Sequence, residues 1–195
     1  MIDPSAYLLR ESTGTSGVVQ SARTAAAILA EHDICHLVIG GLAVQEHGYP
    51  RVTIDVDLVV PDALEAVEFL TASLTGPLAR VPGCEDRVQD TRNGVFIDLL
   101  PAGKVVQRGC KIPFPMPTVA SGQLQVIGLA KLVSLKLDSW ANSPMRRLRD
   151  KSDVVELISR RQLPRELAVD DAVRGLYFET WDALKQEAAN RDLRA

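Results

Sequence analysis

The chain is poor in aromatic residues and long apolar runs, and each scarcity excludes a class of protein. Phe, Trp and Tyr make up 5% of the 195 residues, too few for an extensive surface on which nucleic-acid bases stack. No apolar run approaches the roughly 20 residues of a membrane-spanning helix, and the N-terminus lacks the basic and apolar regions of a signal peptide. The formal net charge of -3 argues against a protein that coats nucleic acid.

Cysteines are also few, odd in number and widely spaced. Cys35, Cys84 and Cys110 suit free thiols better than a disulfide framework, so we expect a cytoplasmic protein. His32 and His36 lie close to Cys35, but no second pair of ligands with zinc spacing follows. Hydrophobic residues at 46% and charged residues at 24% indicate a globular chain with a core of its own.

Apolar spacing in the first part of the chain alternates between the periods of helices and strands. It predicts an α/β fold, a small mixed sheet with flanking helices. Asp62, directly after a proline, is the expected N-cap of one helix. The predicted elements are a helix over 18–32, a strand over 35–39, a short helix over 42–47, a strand over 52–60, a helix over 62–74 and a β-hairpin over 80–100 that turns at Arg92-Asn93-Gly94.

The composition changes near residue 120, after an irregular stretch that contains Pro113, Pro115 and Pro117. We therefore predict a core domain over 1–120 and a C-terminal helical region over 121–195. The helical region is expected to hold three helices, over 126–140, 144–161 and 164–190.

Two aspartates share one face of the predicted strand over 52–60. With a period of two, Val52, Ile54, Val56, Leu58 and Val60 form an apolar face, while Thr53, Asp55 and Asp57 lie opposite. Carboxylates at i and i+2 repel each other unless a cation offsets their charge. Asp98 interrupts a later apolar run and could complete a three-carboxylate site, for which Mg²⁺ or Mn²⁺ is the natural ion. The alternative is a pair of solvated acids on an open strand face.

A glycine pair precedes these acids at the end of a predicted strand. Gly40 and Gly41 let backbone N–H groups approach a ligand without a Cβ in the way, which suits a phosphate. An ordinary strand-to-helix turn is the alternative interpretation.

The segment from His36 to Val60, with Gly-Gly before Asp-x-Asp, resembles the nucleotidyltransferase superfamily of the DNA polymerase β type. The resemblance implies that Asp55, Asp57 and Asp98 hold metal ions, that Asp98 helps to deprotonate the attacking hydroxyl, and that Gly40 and Gly41 hold phosphates. Arg51 and Thr53, which stand before the acids, are further nucleotide-binding candidates. Leu42 departs from the pattern, since many members have Ser or Gly after the glycine pair.

The helical half carries polar side chains within an apolar stripe. Lys136 lies between Leu129 and Trp140 on one helix face and must snorkel, pair or point into a cleft. The block from Lys136 through Asp150 to Asp153 resembles a segment of the AbiEii-type nucleotidyltransferases, cytoplasmic bacterial proteins of which many are toxins. This implies that Lys136 is catalytic and that Asp150 faces the nucleotide. The alternatives are a snorkelling lysine and, for the acids, ion pairs with Arg147 or Lys151.

The resemblance implies transfer of a nucleoside monophosphate from an NTP to an acceptor, with tRNA as an RNA acceptor and an antitoxin as a protein partner. A basic run could contact RNA. Two alternatives stay open, a non-catalytic nucleotide-binding or interaction module of the same fold and an antibiotic-modifying nucleotidyltransferase. The basic run comprises Arg146, Arg147, Arg149, Lys151, Arg160, Arg161 and Arg165.

Overall fold

The computed structural model of the protein describes residues 16–105 and 107–192. These residues form two compact units. The sheet unit comprises residues 16–46, 50–104 and 113–127, and the helical unit comprises 47–49, 105, 107–112 and 128–192. The domain boundary predicted at residue 120 stays a prediction.

A five-stranded mixed sheet with three helices makes up the sheet unit within the described residues, as the predicted α/β class requires. The strand order is β1-β2-β5-β4-β3, and the central pair β2 and β5 is parallel while the other pairs are antiparallel. The elements are α1 (Gly17–Glu31), β1 (Leu37–Val38), α2 (Gly40–Glu46), β2 (Asp55–Val60), α3 (Ala63–Leu70), β3 (Leu78–Arg80), β4 (Arg87–Asp90) and β5 (Phe96–Pro101).

One face of this sheet forms the core. Val56 on β2 and Ile97 on β5 are register partners, and both are fully buried. Side chains alternate along a strand, so the residues on either side of them face the other way. Ser21 of α1 donates a hydrogen bond of 2.7 Å to the buried Asp90 of β4, which ties the helix to the sheet. Asp62 caps α3 as predicted, since its Oδ1 accepts from the backbone N–H of Leu64 at 2.9 Å.

Several predicted bounds of the sheet unit are wrong by two or more residues. The strand predicted over 52–60 begins at Asp55, because β5 begins at Phe96 directly opposite and offers no partner for earlier residues. Ile54 is consequently 72% exposed, and the apolar face begins at Val56. The strand predicted over 35–39 shortens to β1, and α2 begins at Gly40 rather than at residue 42.

The helical unit contains three α-helices among the described residues, as predicted. They are α4 (Leu129–Asn142), α5 (Leu148–Arg161) and α6 (Arg174–Asp192), and a short 3₁₀ turn (Asp171–Val173) precedes the last. The third helix begins ten residues later than predicted, and Asp170 caps the 3₁₀ turn before it by accepting a hydrogen bond from the Ala172 N–H. A helix that could span a bilayer is absent from the described part of the chain.

Candidate active site

The three predicted carboxylates lie on the sheet face opposite the core. Asp57 and Asp98 are register partners on the parallel strands β2 and β5, so they are neighbours across about 4.8 Å of backbone. Asp55 lies two residues before Asp57, about 7 Å along the same strand and on the same face. The register therefore brings together three acids that are far apart in the sequence.

The glycine pair packs directly against this face. Gly40 has a φ of +62°, and a Cβ built on it would lie 1.8 Å from Oδ2 of Asp57. A Cβ on Gly41 would lie 2.3 Å from Oγ1 of Thr53 and 3.0 Å from Nη2 of Arg51. A Cβ at either position would force the neighbouring side chain to move, so glycine suits both positions where the chain passes the acid. Four of the predicted nucleotide-site residues thus lie beside Asp57 or beside each other.

Thr53 connects the glycine pair to the first acid. Its side chain is buried, and its Oγ1 donates to Oδ1 of Asp55 at 3.2 Å. Arg51 donates from Nη1 to the carbonyl of Val52 at 3.0 Å, and its own carbonyl accepts from the Gln45 amide. These bonds hold the irregular segment before β2 in place. The phosphate contacts predicted for Arg51 and Thr53 stay predictions.

Asp98 has a partner that the sequence analysis missed. Arg87 on β4 is its register partner and binds it with two donors, Nε to Oδ1 and Nη2 to Oδ2, the second at 2.9 Å. The hydrogen bond to Asp98 raises the pKa of Arg87 above its ordinary value. The guanidinium also lies over the Phe96 ring, 5.4 Å from its centroid. The predicted turn at Arg92-Asn93-Gly94 would place position 87 opposite position 99, one residue away from the observed register, so it does not reveal this pair.

The three predicted carboxylates differ in how well they fit a divalent cation. Asp55 and Asp57 supply the oxygen donors that Mg²⁺ and Mn²⁺ prefer. Because Gly40 has no Cβ, the space beside Oδ2 of Asp57 is not filled by a side chain of that residue. Asp98 instead directs its oxygens to Arg87, and within the described residues no group of three His, Cys, Asp or Glu side chains is arranged to hold a metal. Two of the three predicted ligands therefore fit, and the third is engaged elsewhere.

The other predicted polar residues lie in the helical unit. Lys136 on α4 is 6% exposed, and its Nζ lies 2.9 Å from Oδ1 of Asp150 and 2.7 Å from Oδ2 of Asp153 on α5. Ser139 donates to the remaining Asp150 oxygen at 2.8 Å. Of the three predicted possibilities for this lysine, pairing is the one observed, and it pairs with both Asp150 and Asp153. The catalytic role predicted for Lys136 and the nucleotide contact predicted for Asp150 stay predictions.

A further buried acid of the helical unit was not expected from the sequence. Asp138 on α4 accepts hydrogen bonds of 2.8 Å from the backbone N–H groups of Lys111 and Ile112. It lies nine residues after Leu129 and so on the opposite side of α4 from the predicted apolar stripe, which therefore gives no signal of such a role. The bonds attach the irregular chain before residue 113 to the helix.

The predicted basic run is partly neutralised inside the helical unit. Arg160 pairs with Glu156 at 2.8 Å, and Arg165 binds Asp182 with two donors at 2.8 and 2.9 Å. Lys151 lies 4.1 Å from the centroid of the Trp140 ring. The remaining arginines of the run are exposed, namely Arg146, Arg147, Arg149 and Arg161.

Comparisons with known proteins give distant likenesses in structure. Neither a protein-family model nor a curated protein matches the sequence. A solution structure of the antibiotic-resistance factor ANT(2'')-Ia is 14% identical, with 86% of this chain and 94% of that chain covered and a TM-score of 0.49. ANT(2'')-Ia in complex with adenylyl-2''-tobramycin is 13% identical, with 87% and 97% covered and a TM-score of 0.49. JHP933 from Helicobacter pylori is 12% identical, with 96% and 98% covered and a TM-score of 0.37. Likenesses of this order do not assign the chain to a family.

Proposed function

We propose that the protein is a metal-dependent nucleotidyltransferase that moves a nucleoside monophosphate from an NTP to an acceptor and releases pyrophosphate. The observation that carries the proposal is the contact between the glycine pair and the acidic face, where Gly40 leaves no room for a Cβ beside Asp57. An ordinary strand-to-helix turn does not need its backbone to pass so close to a carboxylate. A phosphate-binding turn does, because the phosphate must contact both the backbone N–H groups and the cation that the carboxylate holds.

Each residue then has a distinct role. Asp55 and Asp57 hold Mg²⁺ or Mn²⁺, which supplies charge neutralisation at the triphosphate and orients it. Thr53 fixes the Asp55 carboxylate through its hydroxyl, and Gly40 and Gly41 present backbone to the phosphates. Arg51 adds a positive charge beside Gly41, near which a γ-phosphate would be stabilised. Asp98, once released by Arg87, accepts the proton of the attacking hydroxyl.

The proposal extends to an RNA acceptor, with tRNA as the probe. Its support is the group of exposed arginines before and within α5, since arginine contacts to backbone phosphates supply most of nonspecific RNA affinity. A toxin role with an antitoxin partner in the cytoplasm belongs to the same proposal, and the three free cysteines suit a reducing compartment. Growth arrest on expression, absent for Asp57→Ala, supports the toxin role, and unimpaired growth contradicts it.

The decisive test is transfer of label from an α-labelled NTP in the presence of Mg²⁺. All four NTPs are tried with bulk tRNA and, as a cationic acceptor, tobramycin. We expect Asp55→Asn and Asp57→Asn to lower the rate about a thousandfold, because metal stabilisation of a transition state is worth several kcal/mol. The matched control is Asp62→Asn, since Asn caps a helix about as well as Asp.

No transfer to any acceptor, together with wild-type nucleotide affinity in both Asn variants, contradicts the proposal. Transfer to tobramycin alone would assign the protein to antibiotic modification instead of RNA. Nucleotide binding that needs Asp57 but gives no transfer would favour the non-catalytic module.

A further inference from the structure

The turn that joins α4 to α5 exposes two large apolar side chains to water. Met145 is 84% exposed and Leu148 is 59% exposed, although aliphatic side chains gain free energy when they are buried. The backbone holds the turn in shape, because the N–H groups of Arg146 and Arg147 donate to the Ser143 carbonyl at 3.1 and 2.9 Å. An apolar pair presented on such a fixed turn suits a contact surface.

Three arginines accompany the apolar pair on this basic turn, residues 144–149. Arg146, Arg147 and Arg149 are exposed, and in the described part of the chain no ion pair involves any of them. Phosphates or carboxylates could neutralise the arginines, but phosphates alone would leave the apolar pair in water. A partner that covers the whole turn must therefore offer apolar surface together with acidic groups.

A groove of that character lies in the same helical unit, where α4, α5 and α6 meet. Its volume is about 220 Å³, and since a cavity of roughly 150 Å³ admits benzene, the side chain of Met or Leu fits. The walls are mostly apolar, and Trp140, Leu176 and Leu184 contribute to them. The groove can therefore bury an aliphatic side chain that the turn of another molecule presents.

Acidic side chains accompany the apolar walls of the groove. Glu179 and Glu187 belong to its lining on α6, and both are exposed. Lys151 is a cation of the same lining, but its ammonium lies over the Trp140 ring, 4.1 Å from the centroid. Two carboxylates thus stand beside the space that an apolar side chain would enter, within reach of the arginines next to that side chain. Opposite charges around an apolar contact orient the two partners.

The turn and the groove lie close together in one copy of the chain. Trp140 precedes Met145 by five residues, and Lys151 follows Leu148 by three. A surface that carries an apolar projection beside a matching groove is self-complementary, and such a surface pairs with its own copy about a two-fold axis. Both contacts then form together, which doubles the apolar area that is buried.

We propose that the chain forms a two-fold homodimer in which the basic turn of each copy enters the groove of the other. The contact uses residues of the helical unit alone, so it does not depend on the proposed function. Each contact is one turn in one groove, and we expect a reversible dimer because small interfaces belong to transient complexes.

The test is sedimentation equilibrium of the full chain, which measures the dissociation constant of the dimer. Combining Met145→Ser with Leu148→Ser should raise that constant at least about a hundredfold, because both contacts lose their buried aliphatic side chains. The matched control is Leu64→Ser on α3, since Leu64 is 54% exposed and lies in the sheet unit. We expect the control to dimerise as the wild type does.

Ala183→Arg tests the groove from the other side of the contact. Ala183 lines the groove and is exposed, so the new side chain occupies the groove and repels the arginines of the second copy without disturbing the core. The dimer should be lost, whereas Gln186→Arg, which adds the same charge to an exposed position of α6 outside the lining, should retain it. Mixing Ala183→Arg with the Met145/Leu148 double variant should give more dimer than either gives alone, because one intact turn then meets one intact groove.

A wild type that stays monomeric up to about 1 mM overturns the proposal. A dimer that survives in both the Met145/Leu148 double variant and Ala183→Arg overturns it as well, because the copies would then meet elsewhere. If the wild type is monomeric and Arg147→Gln binds bulk tRNA more weakly, the turn is an RNA surface and not a dimer contact. Circular dichroism melts check that every variant is folded, and the two substituted surfaces provide independent tests.

Discussion

Each unit contains a cation paired with an acid of its candidate residues, Arg87 with Asp98 and Lys136 with Asp150 and Asp153, but the two arrangements differ in exposure. In the sheet unit, 40% of the Arg87 side chain is exposed beside Asp98. In the helical unit, 7% of the Lys136 side chain and 1% of the Asp153 side chain are exposed. The first pair can exchange its partners with solvent or ligand at small cost, whereas the second holds α4 to α5 and is costly to separate. Residue type alone therefore does not indicate which charges are available for chemistry.

The largest effect is expected for Lys136→Met, which leaves Asp150 and Asp153 without their shared cation. Removing one partner of a buried pair costs about 3–5 kcal/mol, and urea unfolding measures the loss. Lys131→Met is the matched control, since its Nζ lies 3.8 Å from a half-exposed Asp170, and the expected loss is below about 1 kcal/mol. Equal losses in the two variants would contradict a buried network that stabilises the helical unit.

A smaller loss is expected when a methyl group is added to Gly40 in the sheet unit. The left-handed backbone costs a non-glycine residue about 1–2 kcal/mol, and the new Cβ must also displace the Asp57 carboxylate. The control in the helical unit is Gly175→Ala, because a Cβ there meets no atom within 4 Å. Thermal unfolding should show Gly40→Ala below the wild type and Gly175→Ala at or above it. A Gly40→Ala variant as stable as the control would mean that Asp57 can move at no cost.

The smallest effect concerns pH and a histidine of the sheet unit. His36 is 1% exposed, and burial lowers the pKa of its imidazole below the ordinary 6.5. Just below pH 6.5 the unfolded chain therefore binds more protons than the folded one, so the free energy of unfolding falls as the pH falls. Urea midpoints between pH 7.5 and 5.5 should show this slope, and His36→Phe should flatten it. A slope that persists unchanged in His36→Phe would assign it to another group.

Local patterns in the sequence predict much of the fold. The apolar spacing of residues 18–32 predicts α1 to within one residue at each end, and Asp62 caps α3 through the bonds that its position indicates. The parallel pairing of β2 with β5 lies beyond such patterns, and it determines both the start of β2 and the neighbours of Asp57. Ile54 shows the limit of prediction from such patterns. The alternation of apolar residues along 52–60 predicts that Ile54 is buried, but β2 begins only at Asp55, so Ile54 has no partner strand and is exposed.

The same division holds for the candidate site. Gly40, Asp55 and Asp57 lie within one short segment, so their spacing indicated a common site. Arg87 was missed because its role depends on the strand opposite, and the partners of Lys136 were missed because they lie on another helix. Charges that meet across elements are predictable only once the register or the helix packing is known.

The parallel pairing of the two acid-bearing strands also bears on how the protein is made. Asp57 and Asp98 are about forty positions apart, and the loop between them must close before they can meet. Contacts of such long range form late and slowly in folding. A nascent chain that has emerged only as far as β2 carries the glycine pair and two of the acids, and the third acid joins them only after β5 has left the ribosome and paired with β2.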